Sequence, residues 1–255
     1  VGFLDLIDIT TSEHTYFANG YASHNCYAKG IAKRFAEPMV RAENEYRNID
    51  PEIAEVYYDD KIEKIQSFEP FLFEHQLEKQ LPKKPSRIFV GSMSDIAFWK
   101  DEWMNRVVER IKKHPQHTFL FLTKFPKVYK KLDPIMPDNV WFGVTVTKEN
   151  ELTKLFDLNE FIKTERIRYV SFEPVLEYIP TRKMFGAGLV DWIIVGAMSG
   201  RNKQRTKTEW IGAIVKQAEI YGKSVFVKQI EIDGKIEKDI SKFPKYLQRQ
   251  EFPND

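Results

Sequence analysis

The sequence predicts an α/β protein in which about six parallel strands curve into a partial barrel of β/α units, preceded by a short β-hairpin. Three observations predict it. Short apolar, β-branched or aromatic runs recur at 87–90, 118–122, 140–146, 168–172, 192–195 and 224–227, at the roughly 20 to 35-residue spacing of βα units. Stretches of helical periodicity lie between them. The chain has 255 residues, 42% hydrophobic and 30% charged, enough to bury a substantial core and unlike a disordered segment.

The helices follow from apolar stripes at three- and four-residue steps. Trp103, Val107, Val108 and Ile111 form one stripe, Leu152, Leu155, Phe156 and Ile162 a second, and Trp210, Ile211, Ile214, Val215 and Ala218 a third. Gly222 follows the third as a stop signal that takes the left-handed conformation after a last turn. Residues 27–85 are less regular. The spacing predicts a helix over 27–35 and the start of another over 51–58, with an aromatic cluster at 68–73 before a breaker at 81–85. The tail from Lys235 is charged, carries Pro244 and Pro253, and reads as an irregular or short-helical cover.

Composition narrows the setting. The longest apolar stretches, such as 189–198, are interrupted by residues like Asp191, so no segment reaches the roughly 20 residues of a membrane helix and no membrane partner is expected. A net charge of +2 gives no global drive toward nucleic acid, although the basic cluster at 201–207 is a local one. Cys26 is the one cysteine, which excludes an internal disulfide and a cysteine-only metal site made by this chain alone. A cytoplasmic setting is the expectation. The chain opens on Val1 without an initiator Met or signal-peptide features, so an upstream portion is expected.

The first 26 residues do not read as a βα unit. Residues 5–9 suit a strand, and Asn19-Gly20 is a turn signal between two short strands. Ser23-His24-Asn25-Cys26 then brings together a proton donor or acceptor, an amide able to cyclise onto its own carbonyl, and a thiol nucleophile. Residues 5–26 resemble the C-terminal end of an intein, a self-excising protein element. Asp8 and His14 match the acidic residue and histidine of its penultimate block, Tyr16-Phe17-Ala18-Asn19-Gly20 its aromatic run, and His24-Asn25 its terminal pair. The resemblance implies that Asn25 cyclises to a succinimide, that His24 assists, and that Cys26, the first residue after the intein, accepts the transferred acyl group. Residues 1–25 would then be a splicing segment foreign to the mature protein's core, active only with its N-terminal intein half, and 26–255 the interrupted protein. A small core hairpin built on Ile7, Phe17 and Tyr21 is compatible with that reading.

Beyond the junction, Cys26-Tyr27-Ala28 resembles the last cysteine of a three-cysteine motif in a phage-encoded family of unknown function, itself similar to radical S-adenosylmethionine (SAM) enzymes. Residues 87–95, 117–124, 139–145, 170–174, 191–196 and 226–229 resemble that family's successive strand motifs, in order. The resemblance implies a radical-SAM-like partial barrel whose first strand and two further cysteines lie upstream. It also implies a 4Fe–4S cluster with Cys26 as one ligand and SAM in the barrel mouth. Two departures stand out: Gly196-Ala197-Met198-Ser199-Gly200 replaces a Gly-Gly-Glu-Ser-Gly run, which removes a carboxylate, and Ile230-Glu231 replaces Trp-Gly after Gln229. With the upstream strand absent, the strand at 87–90 is expected to be an edge or to be covered by residues 1–25.

Polar residues follow the predicted strands. Ser92, Ser94 and Asp95 follow the first, Lys124 with Thr123 the second, Thr145 the third, Glu173 with Ser171 the fourth, Ser199 the fifth and Lys228 the sixth. In βα barrels the C-terminal strand ends form the site, which makes Ser92, Ser94, Asp95, Lys124, Glu173, Ser199 and Lys228 the candidate cofactor-binding set. Asp95 and Ser199 are equally suited to helix capping, and the two lysines to solvent. His75 sits among aromatic residues as a packed or surface side chain. His114 and His117 flank Pro115 with a spacing open to a metal but ordinary for a loop. Phe98, Trp99 and Trp103 suit a core or lid, and less well base stacking.

Three functions compete. The first is an iron–sulfur, SAM-dependent enzyme of unknown substrate, acting on nucleic acid or with a companion phage protein. The second is a zinc- or nucleic-acid-binding module that uses the cysteine motif and the 201–207 cluster. The third is a metal-dependent hydrolase using the carboxylates Asp95 and Glu173.

Overall fold

The computed structural model describes residues 4–7, 9–10, 15–18, 21–24, 26–49, 54, 58–67, 71–91, 94–163, 165–199 and 204–253, with side chains from residue 36 onward except 60, 64–67, 71 and 75. The chain divides into two compact units, Val1–Leu120 and Phe121–Asp255. The boundary falls inside one strand, Thr118–Thr123.

In the first unit, strand β1 (Leu4–Ile7) runs parallel to β6 (Arg87–Val90), with Leu4 opposite Ile88 and Asp5 opposite Phe89. Within residues 1–25, Leu4–Ile7 therefore covers the edge of β6, one of the two arrangements foreseen for it. Strand β2 (Ile9–Thr10) pairs antiparallel with β5 (Phe71–Leu72). Strands β3 (Thr15–Ala18) and β4 (Tyr21–His24) form an antiparallel hairpin with Ala18 opposite Tyr21. The turn expected at Asn19-Gly20 lies outside the described residues.

Helix α1 (Cys26–Tyr46) is more than twice the length foreseen and continues through Pro38. Its second half buries Ala36, Val40, Glu43 and Asn44, positions four and three apart on one face. Half of that buried stripe is polar, so hydrophobic periodicity did not announce it. The Glu43 carboxylate accepts hydrogen bonds from Arg47 Nε and from the backbone N–H of Glu74 at 3.0 Å. Helix α2 (Tyr58–Ser67) lies against α1, and Lys61 donates to Asn44 Oδ1 at 2.7 Å. Helix α3 (Glu74–Leu77) is tied by Glu74 to the guanidinium of Arg106 on α4 (Asp101–Lys112). Helix α4 buries Met104, Val107, Val108 and Ile111, the predicted stripe with Met104 in place of Trp103. Asp101 and Glu102 in its first turn and Arg110 and Lys112 in its last complement the helix dipole.

In the second unit the strands lie in chain order: the end of β7 (Thr118–Thr123), then β8 (Val140–Thr145), β9 (Arg168–Phe172), β10 (Trp192–Gly196), β11 (Ser224–Ile232) and β12 (Lys235–Glu237). The pairs β8–β9, β9–β10 and β10–β11 are parallel, and β12 turns back antiparallel on β11. One face carries Phe142, Val144, Val170, Phe172, Ile193, Val195, Val225 and Val227, all at 0% exposure. Burying each such side chain is worth roughly 1.5–3 kcal/mol. Helix α6 (Lys154–Phe161) packs on β8 and β9, and helix α8 (Thr208–Ile220) on β10 and β11. Phe172 meets Phe185 of α7 (Arg182–Gly186) edge to face at 6.4 Å. A short helix α5 (Tyr129–Leu132) follows β7. Gly222 sits at φ +60° after α8, the left-handed stop foreseen for it.

The expectation of about six strands needs correction at both ends. All six predicted strands are present, but β1 joins the sheet beside β6 and β12 beside β11. The physical reason is edge protection: an open strand edge leaves N–H and C=O groups unpaired. On β11, residues 230–232 pair with β12. Its residues 225–227 are covered by the tail, where Val227 N–H donates to Arg249 O at 2.8 Å and Glu251 N–H to Val225 O at 2.9 Å. The tail read as an irregular cover thus includes a strand and edge-sealing backbone. Among the described residues no helix is long and apolar enough to cross a membrane.

Candidate functional site

The face of the second unit's strands opposite the helices is built in rows by strand register. Gly143, Tyr169, Trp192 and Ser224 are successive partners across β8 to β11, and the next row is Thr145, Ser171, Ile194 and Phe226. Beyond the second row the β10–β11 register shifts, so that Gly196 pairs with Gln229, and Glu173, just past β9, meets Lys228 there. Because these strands are parallel, one end of the face collects the N-terminal residues and the other the C-terminal ones.

The N-terminal end is filled with rings. Trp192 packs against Trp141 at 5.7 Å, Tyr169 at 5.4 Å, Phe226 at 6.4 Å and Phe252 at 5.2 Å. Its indole N–H donates to Glu251 O at 2.8 Å. The Tyr169 ring lies over Gly143, where a Cβ would stand 2.3 Å from ring carbons, so this position requires glycine. The Tyr169 hydroxyl donates to Phe121 O at 2.8 Å and that of Tyr129 to Gly143 O at 2.7 Å. Burial, and secondarily the charge of Glu173, push the Tyr169 phenol well above 10, so it stays neutral and holds its hydrogen bond.

The C-terminal end is small and polar. Thr145 and Ser171, both buried, face each other across β8 and β9. The Ser171 hydroxyl donates to Glu173 Oε2 at 3.1 Å, and Lys228 Nζ stands 3.3 Å from Glu173 Oε1. The Glu173 carboxylate rests on Gly196, where an added Cβ would be 2.9 Å from Oε1. The side chain of Glu173 is 19% exposed and that of Lys228 54%. An acceptor and a donor of opposite charge therefore open to solvent above a floor of two hydroxyls and a bare backbone.

The loops behind this end are cross-linked. Lys154 Nζ donates to Thr145 O at 3.2 Å and to Glu151 Oε1 at 2.6 Å, while Glu151 Oε2 accepts from Thr147 N–H and Oγ1. Burial raises the Glu151 carboxyl, but the Lys154 charge and the hydrogen bonds from Lys154 and Thr147 outweigh it, so its pKa lies below the usual value. Thr206 Oγ1 donates to Val175 O at 2.9 Å and accepts from Met198 N–H at 3.2 Å. Glu231, its side chain 3% exposed, pairs with Arg205 at 2.9 Å and accepts the Thr206 N–H. Gln229 Nε2 donates to Ala197 O at 2.6 Å, and Ala197 N–H donates to Gln229 O.

The predicted site residues divide accordingly. Glu173 and Lys228 come together. Lys124 is half-buried just past β7, and Ser199 is exposed beyond β10. In the first unit, Ser94 Oγ accepts the Trp99 indole N–H at 2.9 Å, and Asp95 Oδ1 accepts the Ala97 N–H at 3.0 Å as the cap of a short turn. For Asp95 the capping alternative holds. His24 ends β4 and Cys26 opens α1, while Asp8, His14, Asn25 and Ser92 lie outside the described residues.

Both histidines of the loop pair have backbone partners. His114 Nδ1 lies 2.8 Å from Arg110 O, and His117 Nδ1 accepts the Ser86 N–H at 3.1 Å. Phe98 is 38% exposed, while Trp99 is buried. In the basic cluster, Arg205 is taken by Glu231, and Lys207 Nζ stands 5.3 Å from the Trp210 ring centroid; residues 201–203 lie outside the described residues. Sequence reasoning missed Thr206 and Glu151, and took Glu231 only as a departure from a motif. For Glu151 the spacing of three to Lys154 at a helix start was a visible signal.

Residues 18–248 match a family described as "Protein of unknown function (DUF5131)". The match takes in 18–25 as well as the chain beyond Cys26. Neither a curated protein nor a solved structure matches the chain.

Proposed function

We propose, from the premise that the chain belongs to the DUF5131 family of unknown function, that it is the C-terminal portion of a SAM-dependent iron–sulfur enzyme released by splicing at Asn25/Cys26. The observation that carries the ligand site is the cluster of Ser171, Glu173 and Lys228 at the C-terminal ends of parallel strands, where the polar ends of βα units form binding sites. The methionyl end of SAM carries an ammonium and a carboxylate. Glu173 is suited to accept from the first and Lys228 to pair with the second, exchanging a half-exposed ion pair for two charge-assisted contacts. Thr145 and Ser171 supply hydroxyls below.

The chain's one cysteine does not fit a four-iron cluster alone. In this reading Cys26 is a single ligand and the others belong to upstream sequence. In the splicing reaction the Asn25 side-chain amide nitrogen attacks its own carbonyl carbon. The succinimide forms, the Asn25–Cys26 peptide bond breaks, and the Cys26 amine leaves with the proton.

Two measurements test this. Equilibrium dialysis of the chain with SAM should show binding that Glu173→Gln and Lys228→Ala each weaken at least about tenfold; unchanged affinity in both would overturn the site. With the N-terminal intein half supplied in trans, mass spectrometry should show a product whose C-terminal portion begins at Cys26. Asn25→Ala should block release, and ligation that survives it would refute the splicing role. Full-length spliced protein, prepared without oxygen, should bind iron and sulfide, and its Cys26→Ala variant should not.

A further inference from the structure

The segment that follows β9 is strapped from both sides. Val175 N–H donates to Gly196 O at 3.1 Å and Leu176 N–H to Thr147 O at 3.2 Å. Gln204 Nε2 donates to Leu176 O at 2.9 Å, and the Thr206 hydroxyl to Val175 O at 2.9 Å. Val175 thus has both backbone groups held, and only Pro174, whose ring fixes its φ, separates it from Glu173. Gly196 serves twice: its carbonyl takes the Val175 N–H, and its bare Cα is where the Glu173 carboxylate rests.

Thr206 is in turn set from β11. Its N–H donates to Glu231 Oε2 at 3.4 Å, Arg205 Nε holds Oε1 at 2.9 Å, and Thr208 Oγ1 donates to Glu231 O at 2.9 Å. Lys228 stands on the same strand as Glu231. The contacts therefore close a ring. It runs from Lys228 along β11 to Glu231, across to Thr206, on to Val175, and back through Pro174 to Glu173, whose carboxylate meets Lys228 at 3.3 Å. Thr206 and the Glu231 side chain are each 3% exposed, so their effect on a ligand passes through other residues. Apolar side chains would hold a loop without the desolvation that a buried carboxylate suffers. What the polar pair adds is direction, because hydrogen bonds constrain angle as well as distance.

We infer that Thr206 and Glu231 are positioning residues. They fix the backbone beside Glu173 so that its carboxylate and the Lys228 ammonium keep one separation, matched to a ligand end that carries an ammonium and a carboxylate on a single carbon. The inference rests on the proposed SAM site for the identity of that ligand.

The test uses the full chain with Thr206→Val, which keeps the shape and removes the hydroxyl, and Thr206→Ser, which restores it. Amide hydrogen exchange at Val175 and Leu176 should rise about tenfold in the first and return to the parent rate in the second, with Val170 and Ile193 unchanged. The carboxyl carbon resonance of Glu173, assigned by its disappearance in Glu173→Gln, should shift in Thr206→Val and recover in Thr206→Ser. In equilibrium dialysis Thr206→Val should weaken SAM binding about fivefold or more, and should add nothing in a chain already carrying Glu173→Gln, since both act through one carboxylate. Equal losses in the two backgrounds, or an unmoved Glu173 resonance, would overturn the inference, because a loop that matters only for folding gives those results. If Thr206→Val does not fold, Glu231→Gln keeps an acceptor for the Thr206 N–H and removes the charge facing Arg205. The Glu173 resonance should shift there too, and an unmoved one overturns the inference in the same way. A chain that shows the exchange and resonance changes but binds no SAM keeps the positioning pair and loses the SAM reading.

Discussion

The two ends of one strand face in the second unit use the same scaffold for opposite purposes. At the N-terminal end, Trp192, Tyr169, Trp141, Phe226 and Phe252 fill the space with rings, and the Tyr169 hydroxyl and the Trp192 indole N–H each donate to a backbone carbonyl. At the C-terminal end, the same strands carry Thr145, Ser171, Glu173, Gly196 and Lys228, with a charge pair open to water. Packing stabilises the first end. The second end leaves a partly exposed charge pair that contributes little to stability.

The sharpest way to break that contrast is Trp192→Ala. It should cost about 3–5 kcal/mol, the range for a large buried aromatic, read as a fall in the urea midpoint; a loss under about 1 kcal/mol would show that the rings do not carry the unit. Gly143→Ala comes next. Its Cβ would meet the Tyr169 ring at 2.3 Å, so the ring must move, at roughly 1–3 kcal/mol, with a matching drop in thermal midpoint.

Gly196→Ala, by contrast, crowds the end of the flexible Glu173 side chain. It should cost under about 1 kcal/mol while weakening SAM binding as much as Glu173→Gln does. If stability falls as far as in Gly143→Ala, the two ends are not different in kind.

His117 supplies a reference outside both ends. Burial, with the His114 charge added, lowers its pKa below the ordinary 6.5. The folded chain therefore holds it neutral where the unfolded chain takes a proton. Stability from this group is fully present above pH 6.5 and is lost as pH falls through 6.5 toward the folded value. Thermal midpoints measured from pH 7 down to 5 should fall less steeply in His117→Asn, and identical slopes would refute the assignment. The smallest effect expected is that of Glu173→Gln on stability, within about 0.5 kcal/mol either way. A larger loss in urea unfolding would make Glu173 structural and remove the contrast.

Particular residues show what was legible. The run at 192–195 is continuous and apolar because both faces of its strand are buried, and a strand covered on both sides leaves a plain trace in sequence. Residues 4–7 carry no such trace. Their pairing with β6 depends on a backbone edge some eighty residues away, and edges are satisfied by hydrogen bonds that any side chain permits. The second half of α1 was hidden for a different reason: Glu43 and Asn44 are buried through partners on other helices, and a polar stripe reads as surface until those partners are in place.

By itself, then, the sequence determined the α/β class, the six central strands, their helical connections and the residue types at each strand end, because periodicity and turn chemistry are local properties of the chain. Tertiary structure alone decided which of those polar residues meet. It brought Glu173 to Lys228 across fifty-odd residues of chain and made Asp95 a cap. It also set Glu231, a departure from a familiar motif, under Arg205 and Thr206. Register and strand order set these distances, and both follow from the sum of packing over the whole sheet, which no short stretch of sequence contains.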